Sequence, residues 1–203
     1  TSWSKVHPTS VDSVPKIASA NVTWNGVEVQ SNSTREKSSI EDISRVFLQE
    51  ANNSMHLVKV VDNSPANILE ISSNEEQSIC HIHVECTTSG SLIVKLSGST
   101  DWLGLHITGK VDKNCTLSFG LVNDLSRHCT ILRCEDWSLL RDSVLEYGEL
   151  SIGGSRIKND IRTSLDEVNS SLTQNIAVIT DGSRHDDHHV EILHRSGHTN
   201  SSL

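Results

Sequence analysis

Short apolar runs of about five to seven residues recur from residue 56 to residue 193, each closed by Gly, Asn, Asp or Ser, at intervals of about ten to twelve residues. Runs this short with period-two alternation are strands, and their even spacing restricts the chain to a sandwich, a barrel or the coils of a solenoid. Composition separates these outcomes. Aromatic residues make up only 3% of the chain, so no Trp-centred core is available, and the interior must rest on Val, Ile and Leu, which stack in even layers. The sequence therefore predicts a mainly β chain folded as a right-handed parallel β-helix, although no strict repeat is visible.

Residues 1–55 read as a small mixed N-terminal cap and residues 56–203 as the β-helix core. In the cap, residues 1–14 are irregular, with Pro8 and Pro15 marking turns. Residues 20–30 read as a hairpin, because Asn25 and Gly26 supply the positive φ angles of a tight turn between alternating strands. Residues 38–52 place Ile40, Ile43, Val46 and Phe47 at helical spacing after a Ser39 cap. Residues 138–146 are a second, weaker helical segment.

The 26 acidic and 17 basic residues give a formal net charge of -9. Without a basic cluster, the chain is not expected to bind nucleic acid or an anionic membrane surface, both of which need grouped Lys and Arg. No stretch approaches the ~18–20 apolar residues of a membrane-spanning helix. The polar first residues carry no apolar signal core. The cysteines, Cys80, Cys86, Cys115, Cys129 and Cys134, are odd in number, which fits free thiols and a cytoplasmic setting better than a disulfide framework. On the same reasoning the Asn-x-Ser/Thr matches at Asn21, Asn32, Asn52, Asn114, Asn169 and Asn200 are chance products of a chain rich in Ser, Thr and Asn.

Alternation over Cys80 to Cys86 puts Cys80, Ile82, Val84 and Cys86 on one face and His81, His83 and Glu85 on the other. The first is a core face. The second is either a solvated polar face or, as in a cupin-type metal-dependent barrel, a metal site built from His81, His83 and Glu85. Cys115, Cys129 and Cys134 make no metal-ribbon spacing, and packing is the expected role of each. As cluster thiols they remain candidates only, because no electropositive neighbourhood is apparent. Neither a nucleophile elbow nor a phosphate-binding loop is present, so no catalytic residues are assigned and no enzyme is expected.

The densest constellation runs from Arg184 to Ser201. Alternation puts Asp187, His189, Glu191 and Leu193 on one face and His188, Val190, Ile192 and His194 on the other. Imidazoles and carboxylates this close can bind a metal or form hydrogen-bond ladders between adjacent coils. This segment resembles the SufB/SufD family, the β-helical scaffolds of the SUF iron–sulfur cluster assembly system. The matching residues are His185, Asp187 and His189, then His194, then His198, Thr199 and Ser201. Upstream, the stretch from Gly148 to Leu165, with Gly153, Gly154 and Arg156, resembles the family's Gly-Gly…Arg strand.

The resemblance implies a non-enzymatic scaffold or accessory component that acts with an ABC-type ATPase, SufC, and a second SufB/SufD-type subunit, as a homo- or heterodimer. It implies a transient iron–sulfur cluster as cargo and no cofactor held with certainty. The lack of a cluster-ligand cysteine motif points to the SufD-like side. The family's ATPase-binding helices lie C-terminal to the His-Thr-x-Ser turn, and the sequence stops at Leu203, just after it. The last coil is expected to be covered by a dimer partner or by the chain itself, because an open β edge invites pairing.

Overall fold

The computed structural model describes residues 14–34, 43–61 and 67–203. The irregular start expected for residues 1–14 falls almost wholly outside these, as do the first residues of the helix expected over 38–52. The described part of that helix, α1, is Ile43–Ala51.

The strands divide into two sheets, and the chain visits them in alternation. Sheet A contains, in spatial order, β13 (His185–His194), β11 (Arg156–Leu165), β9 (Thr130–Leu139), β7 (Trp102–Val111), β5 (Gln77–Cys86), β3 (Ser54–Lys59) and β2 (Glu28–Thr34). Sheet B contains β1 (Asn21–Asn25), β4 (Ile68–Ser73), β6 (Gly90–Gly98), β8 (Thr116–Leu125), β10 (Val144–Ser151), β12 (Ser171–Val178) and β14 (Asn200–Ser202). From β3 onward every neighbouring pair is parallel, so one strand of each sheet makes a coil, and about five coils stack into a parallel β-solenoid. The expected β-helix is thus the observed fold. The cupin-type alternative required strands closed as a barrel with His81, His83 and Glu85 converging inside it. Instead these three lie on the outer face of sheet A, opposite the core column of Cys80, Ile82, Val84 and Cys86.

Two local expectations change. Residues 20–30 do form two strands about a tight turn, with Gly26 at φ 81°. They do not pair with each other: β1 joins β4 in sheet B, and β2 joins β3 in sheet A, both antiparallel. An Asn-Gly turn bends the chain equally well between sheets, and the coil below offers each strand an edge. Residues 138–146 are not helical but finish β9, turn and begin β10. Their helical spacing lost to the parallel partners that β7, β8 and β11 present on either side.

The coils repeat every 25 to 29 residues, as the registers Gln77–Trp102, Trp102–Thr130, Thr130–Arg156 and Arg156–His185 show. The repeat appears at one corner. Between sheet A and sheet B the chain passes through a left-handed residue in successive coils, Asn114, Asp142, Asn169 and His198. Asn and Asp reach this conformation more readily than other residues with a Cβ. The next residue is small and polar: Cys115, Ser143, Ser170 or Thr199. The hydroxyls of Ser143, Ser170 and Thr199 return to the carbonyls of Leu140, Glu167 and Ser196 at 2.6, 2.8 and 3.1 Å.

Helix α1 lies outside the solenoid, against the outer face of sheet A. Leu48 and Ala51 pack on Ile79, Leu132 and Cys134, and Phe47 meets Trp102 edge-on at 6.0 Å. Gly104 makes room for the helix, since a Cβ there would stand 2.6 Å from Leu48 Cδ2. Inside the solenoid, Gly109 makes similar room for the indole of Trp137, which a Cβ would meet at 2.1 Å.

Gly109→Ala is therefore expected to destabilise the protein by about 1–3 kcal/mol through overpacking. Gly120→Ala, whose Cβ would meet only Ile93 at 3.6 Å, should be neutral or stabilise by up to about 1 kcal/mol. Urea unfolding midpoints of the two variants test the contrast.

Candidate functional site

The interior changes character along the solenoid. In the earlier coils the inward columns are apolar: Cys80 stacks on Leu105, Ile82 on Ile107, and Leu69 on Val94 and Leu121. One coil later the same columns carry Arg133, Glu135 and Glu149. Alternation in β9 aligns Ile131, Arg133, Glu135, Trp137 and Leu139, so two charges and an indole sit on a face bounded by aliphatic residues. Opposite, β10 sends in Tyr147 and Glu149.

These groups form one buried network. Arg133 Nη1 donates to Glu149 Oε1 at 3.0 Å, Nη2 donates to Glu149 Oε2, and Nε lies 3.0 Å from Glu135 Oε1. Glu135 also accepts from Tyr147 Oη at 2.9 Å and from Trp137 Nε1 at 2.8 Å. Phe119, Trp137 and Tyr147 pack against one another, with ring centroids 4.8 to 6.5 Å apart, and close the network off from the apolar coils. One guanidinium faces two carboxylates in a low-dielectric interior. Burial holds the Glu135 carboxyl above its usual range, and the charge of Arg133 opposes that shift. Burial likewise lifts the phenol of Tyr147 well above its ordinary value.

The polar column continues upward. With its amide oxygen turned to face donors, Asn159 accepts from Arg133 Nη2 at 3.3 Å and from His188 Nδ1 at 3.1 Å. His188 Nε2 lies 3.6 Å from Asp186 Oδ1. Asp186 is held by Arg184, which donates to it through Nε at 2.7 Å and Nη2 at 2.9 Å. Gln174 sits above Tyr147 in register, buried, and among the described residues neither end of its amide has a hydrogen-bond partner. The result is a fixed chain of polar groups from the middle of the solenoid to its last full coil.

The histidine run divides as alternation predicts. His188, Val190, Ile192 and His194 follow inward columns, while Asp187, His189 and Glu191 face outward. The outward residues form a ladder with the coil below. Lys158 Nζ donates to Asp187 at 2.8 Å, Arg162 pairs with Glu191, and His189 Nδ1 lies 3.6 Å from Asp160. His194 ties the corner that follows, with Nδ1 2.7 Å from Thr199 Oγ1 and Nε2 3.0 Å from Ser201 Oγ. His198 is the left-handed residue of that corner, at φ 57°. His185 and Arg156 are partners in register at the start of their strands, and both are exposed. Gly153 and Gly154 turn the chain from sheet B into sheet A. A Cβ on Gly153 would stand 2.0 Å from the Leu125 carbonyl oxygen, and Gly154 has φ 90°.

All five cysteines are free and buried. Cys80, Cys86 and Cys129 have thiols pushed up to about 12 by burial. Burial also raises Cys115, which holds the small corner position that Ser143 and Ser170 hold in later coils. Cys134 points outward beneath α1, where the guanidinium of Arg45 acts on it electrostatically. The electropositive neighbour that the sequence hides is thus supplied by a helix some ninety positions away. His81 is buried under the same helix, with Nε2 3.1 Å from the Leu48 carbonyl, and His83 Nδ1 lies 2.7 Å from Thr108 Oγ1. His81 is therefore not on a solvated face. Among the described residues no three His, Cys, Asp or Glu side chains are grouped to hold a metal ion.

The sequence reading missed Arg133, Glu135, Tyr147 and Glu149 as one buried network. The signal was present in β9, where charges alternate in step with Ile131 and Leu139 and so fall on the core face.

The described chain is thus a parallel β-solenoid whose interior turns from aliphatic to charged along its coils. The family model described as "SUF system FeS cluster assembly, SufBD core domain" matches residues 44–203. The chain belongs to this family, and its place is in SUF iron–sulfur cluster assembly. No curated protein and no solved structure matches the chain significantly. Among the described residues no helix is long and apolar enough to cross a membrane.

Arg133→Met is expected to cost about 3–5 kcal/mol, because it leaves Glu135 and Glu149 buried without their counter-charge. Adding Glu149→Leu should recover part of that loss, and guanidinium unfolding of the single and double variants measures it. His198→Asn should be neutral, whereas His198→Val should cost about 1–2 kcal/mol, since a β-branched residue strains a left-handed corner. Thermal melts of the two compare them.

Proposed function

We propose that this chain is a non-catalytic scaffold of iron–sulfur cluster assembly that works in the cytoplasm with a SufC-type ABC ATPase and a second SufB/SufD-type subunit. The observation that carries this reading is the extent of the family match, which runs from within α1 through every coil to Leu203. In this proposal β1 and β2 cap the first coil through their antiparallel pairing with β4 and β3. The motif residues serve the scaffold. Gly153, Gly154, His194, His198 and Thr199 shape corners, and Asp187, His189 and Glu191 lock the last strand of sheet A to the coil beneath it.

The thiols support an accessory, SufD-like role. Cys80, Cys86 and Cys129 are buried with raised pKa values, which disfavours the thiolate needed to ligate a cluster. An iron–sulfur cluster, as cargo of the system, would then be held mainly by the partner. The test is co-purification of this chain with the SufC-type ATPase and a SufB-type subunit, followed by light scattering. A stable complex is expected, with ATP hydrolysis belonging to the ATPase alone. Anaerobic reconstitution of the isolated chain with iron and sulfide should give little cluster absorbance. Failure of the chain to join either partner would overturn the scaffold reading, and full cluster absorbance in the isolated chain would overturn the accessory one.

A further inference from the structure

The turn at Asn25 and Gly26 joins strands that go to different sheets. In a hairpin, an Asn-Gly pair is clamped by the ladder of its own two strands. Here β1 runs to β4 and β2 to β3, so no ladder closes over the turn. Both residues are exposed, and Gly26 has φ 81°. Among the described residues, neither the side-chain amide of Asn25 nor the backbone N–H of Gly26 has a hydrogen-bond partner.

Other described asparagines that precede a small residue are held in place. Asn169 Nδ2 donates to Asp142 Oδ1 at 3.0 Å, and the N–H of Ser170 lies 3.4 Å from the Glu167 carbonyl oxygen. After Asn53, the N–H of Ser54 donates to Asn52 Oδ1 at 2.9 Å. Asn32 and Asn200 lie within β2 and β14, where the backbone is extended. A side-chain amide followed by an unengaged N–H holds both halves of an intramolecular acyl transfer. The nitrogen must swing onto the side-chain carbonyl carbon, which is easiest where the second residue has no Cβ. Asn25 and Gly26 meet both conditions.

We propose that Asn25 is a site of covalent modification, where the exposed turn converts asparagine to isoaspartate and loosens the cap of the first coil. The Gly26 nitrogen gives its proton to water and bonds to Asn25 Cγ. The bond from Cγ to the side-chain nitrogen breaks, and ammonia leaves behind a cyclic imide. Water then opens the imide. Attack at the main-chain carbonyl gives isoaspartate, whose peptide bond runs through Cβ and Cγ and whose α-carboxylate is free. Attack at the other carbonyl gives aspartate. Isoaspartate adds one backbone carbon between Asn25, which is in register with Ile68, and Val27, which is buried in the core. Both cannot keep their places. The strand that yields is β1, which is paired on one side only, to β4. This inference does not depend on the assembly role above.

The test is incubation of the full, folded chain in mildly alkaline buffer, followed by proteolysis and mass spectrometry over time. Asn25 should be converted in the folded chain at a rate close to that in urea, whereas Asn169 should be converted only in urea. The aged chain should accept methyl groups from S-adenosylmethionine in the presence of an isoaspartyl carboxyl methyltransferase, and most of that methylation should be lost in Asn25→Gln. Hydrogen exchange over Asn21–Asn25 and Ile68–Ser73 should accelerate in the aged wild type. It should stay unchanged in freshly purified Asn25→Asp, which has the new charge without the longer backbone. The proposal is overturned if Asn25 stays intact in the folded chain while the urea-unfolded chain is converted. It is equally overturned if Asn169 is converted as fast in the folded chain, or if exchange in the two strands does not change on ageing.

Discussion

Parallel pairing between coils is the constraint on which the rest of this molecule depends. It places each side chain about 4.8 Å from the equivalent side chain of the coil before and the coil after. A residue on either face is therefore answered by two neighbours roughly one repeat away in sequence. On the outside this yields cross-coil pairs such as Lys95 with Glu70, Ser118 with Glu146, Lys158 with Asp187 and Arg162 with Glu191. Each is exposed or half-buried, so each adds a modest amount, and their shared effect is to hold register. Inside, the same rule is stricter, because water cannot substitute for a missing partner.

That strictness gives the charged interior its form. Arg133 enters a column whose lower members are Cys80 and Leu105, so nothing beneath it can accept a hydrogen bond. Its partners come from its own strand and from across the solenoid, as Glu135 and Glu149. Above it the column stays polar through Asn159 and His188. The columns of the two carboxylates turn apolar again, with Ile161 and Val190 above Glu135 and Ile176 above Glu149, so those groups are satisfied laterally by Arg133, Tyr147 and Trp137. The histidine run of β13 serves both faces: His188 extends the polar column inside, and Asp187, His189 and Glu191 form the ladder outside.

Much of this was legible in the residues. The short strands and the two faces of β5 and β13 follow from alternation, which is a local property, whereas the buried trio of Phe119, Trp137 and Tyr147 runs against a core of Val, Ile and Leu alone. The corner repeat was also legible in principle, as Asn114-Cys115, Asp142-Ser143, Asn169-Ser170 and His198-Thr199. It was obscured because the coils differ in length and because Cys and Thr stand where Ser stands elsewhere. The Asn-Gly turn at Asn25 and Gly26 was read correctly as a turn and wrongly as a hairpin, since a turn records the bend and not the partner of the strands it joins.

The sequence by itself determined which residues form strands, which of their side chains share a face, and which family the histidine motif belongs to. These depend on neighbours two to ten positions away. Only the tertiary structure decided that Arg133 and Glu149 meet across the core, that Cys115 is a corner residue, and that Arg45 reaches Asp136, Cys134 and Asp160 from a helix outside the solenoid. Those contacts rest on register between coils of unequal length and on the docking of α1. Both are set by the free energy of the whole stack, to which no local pattern gives access.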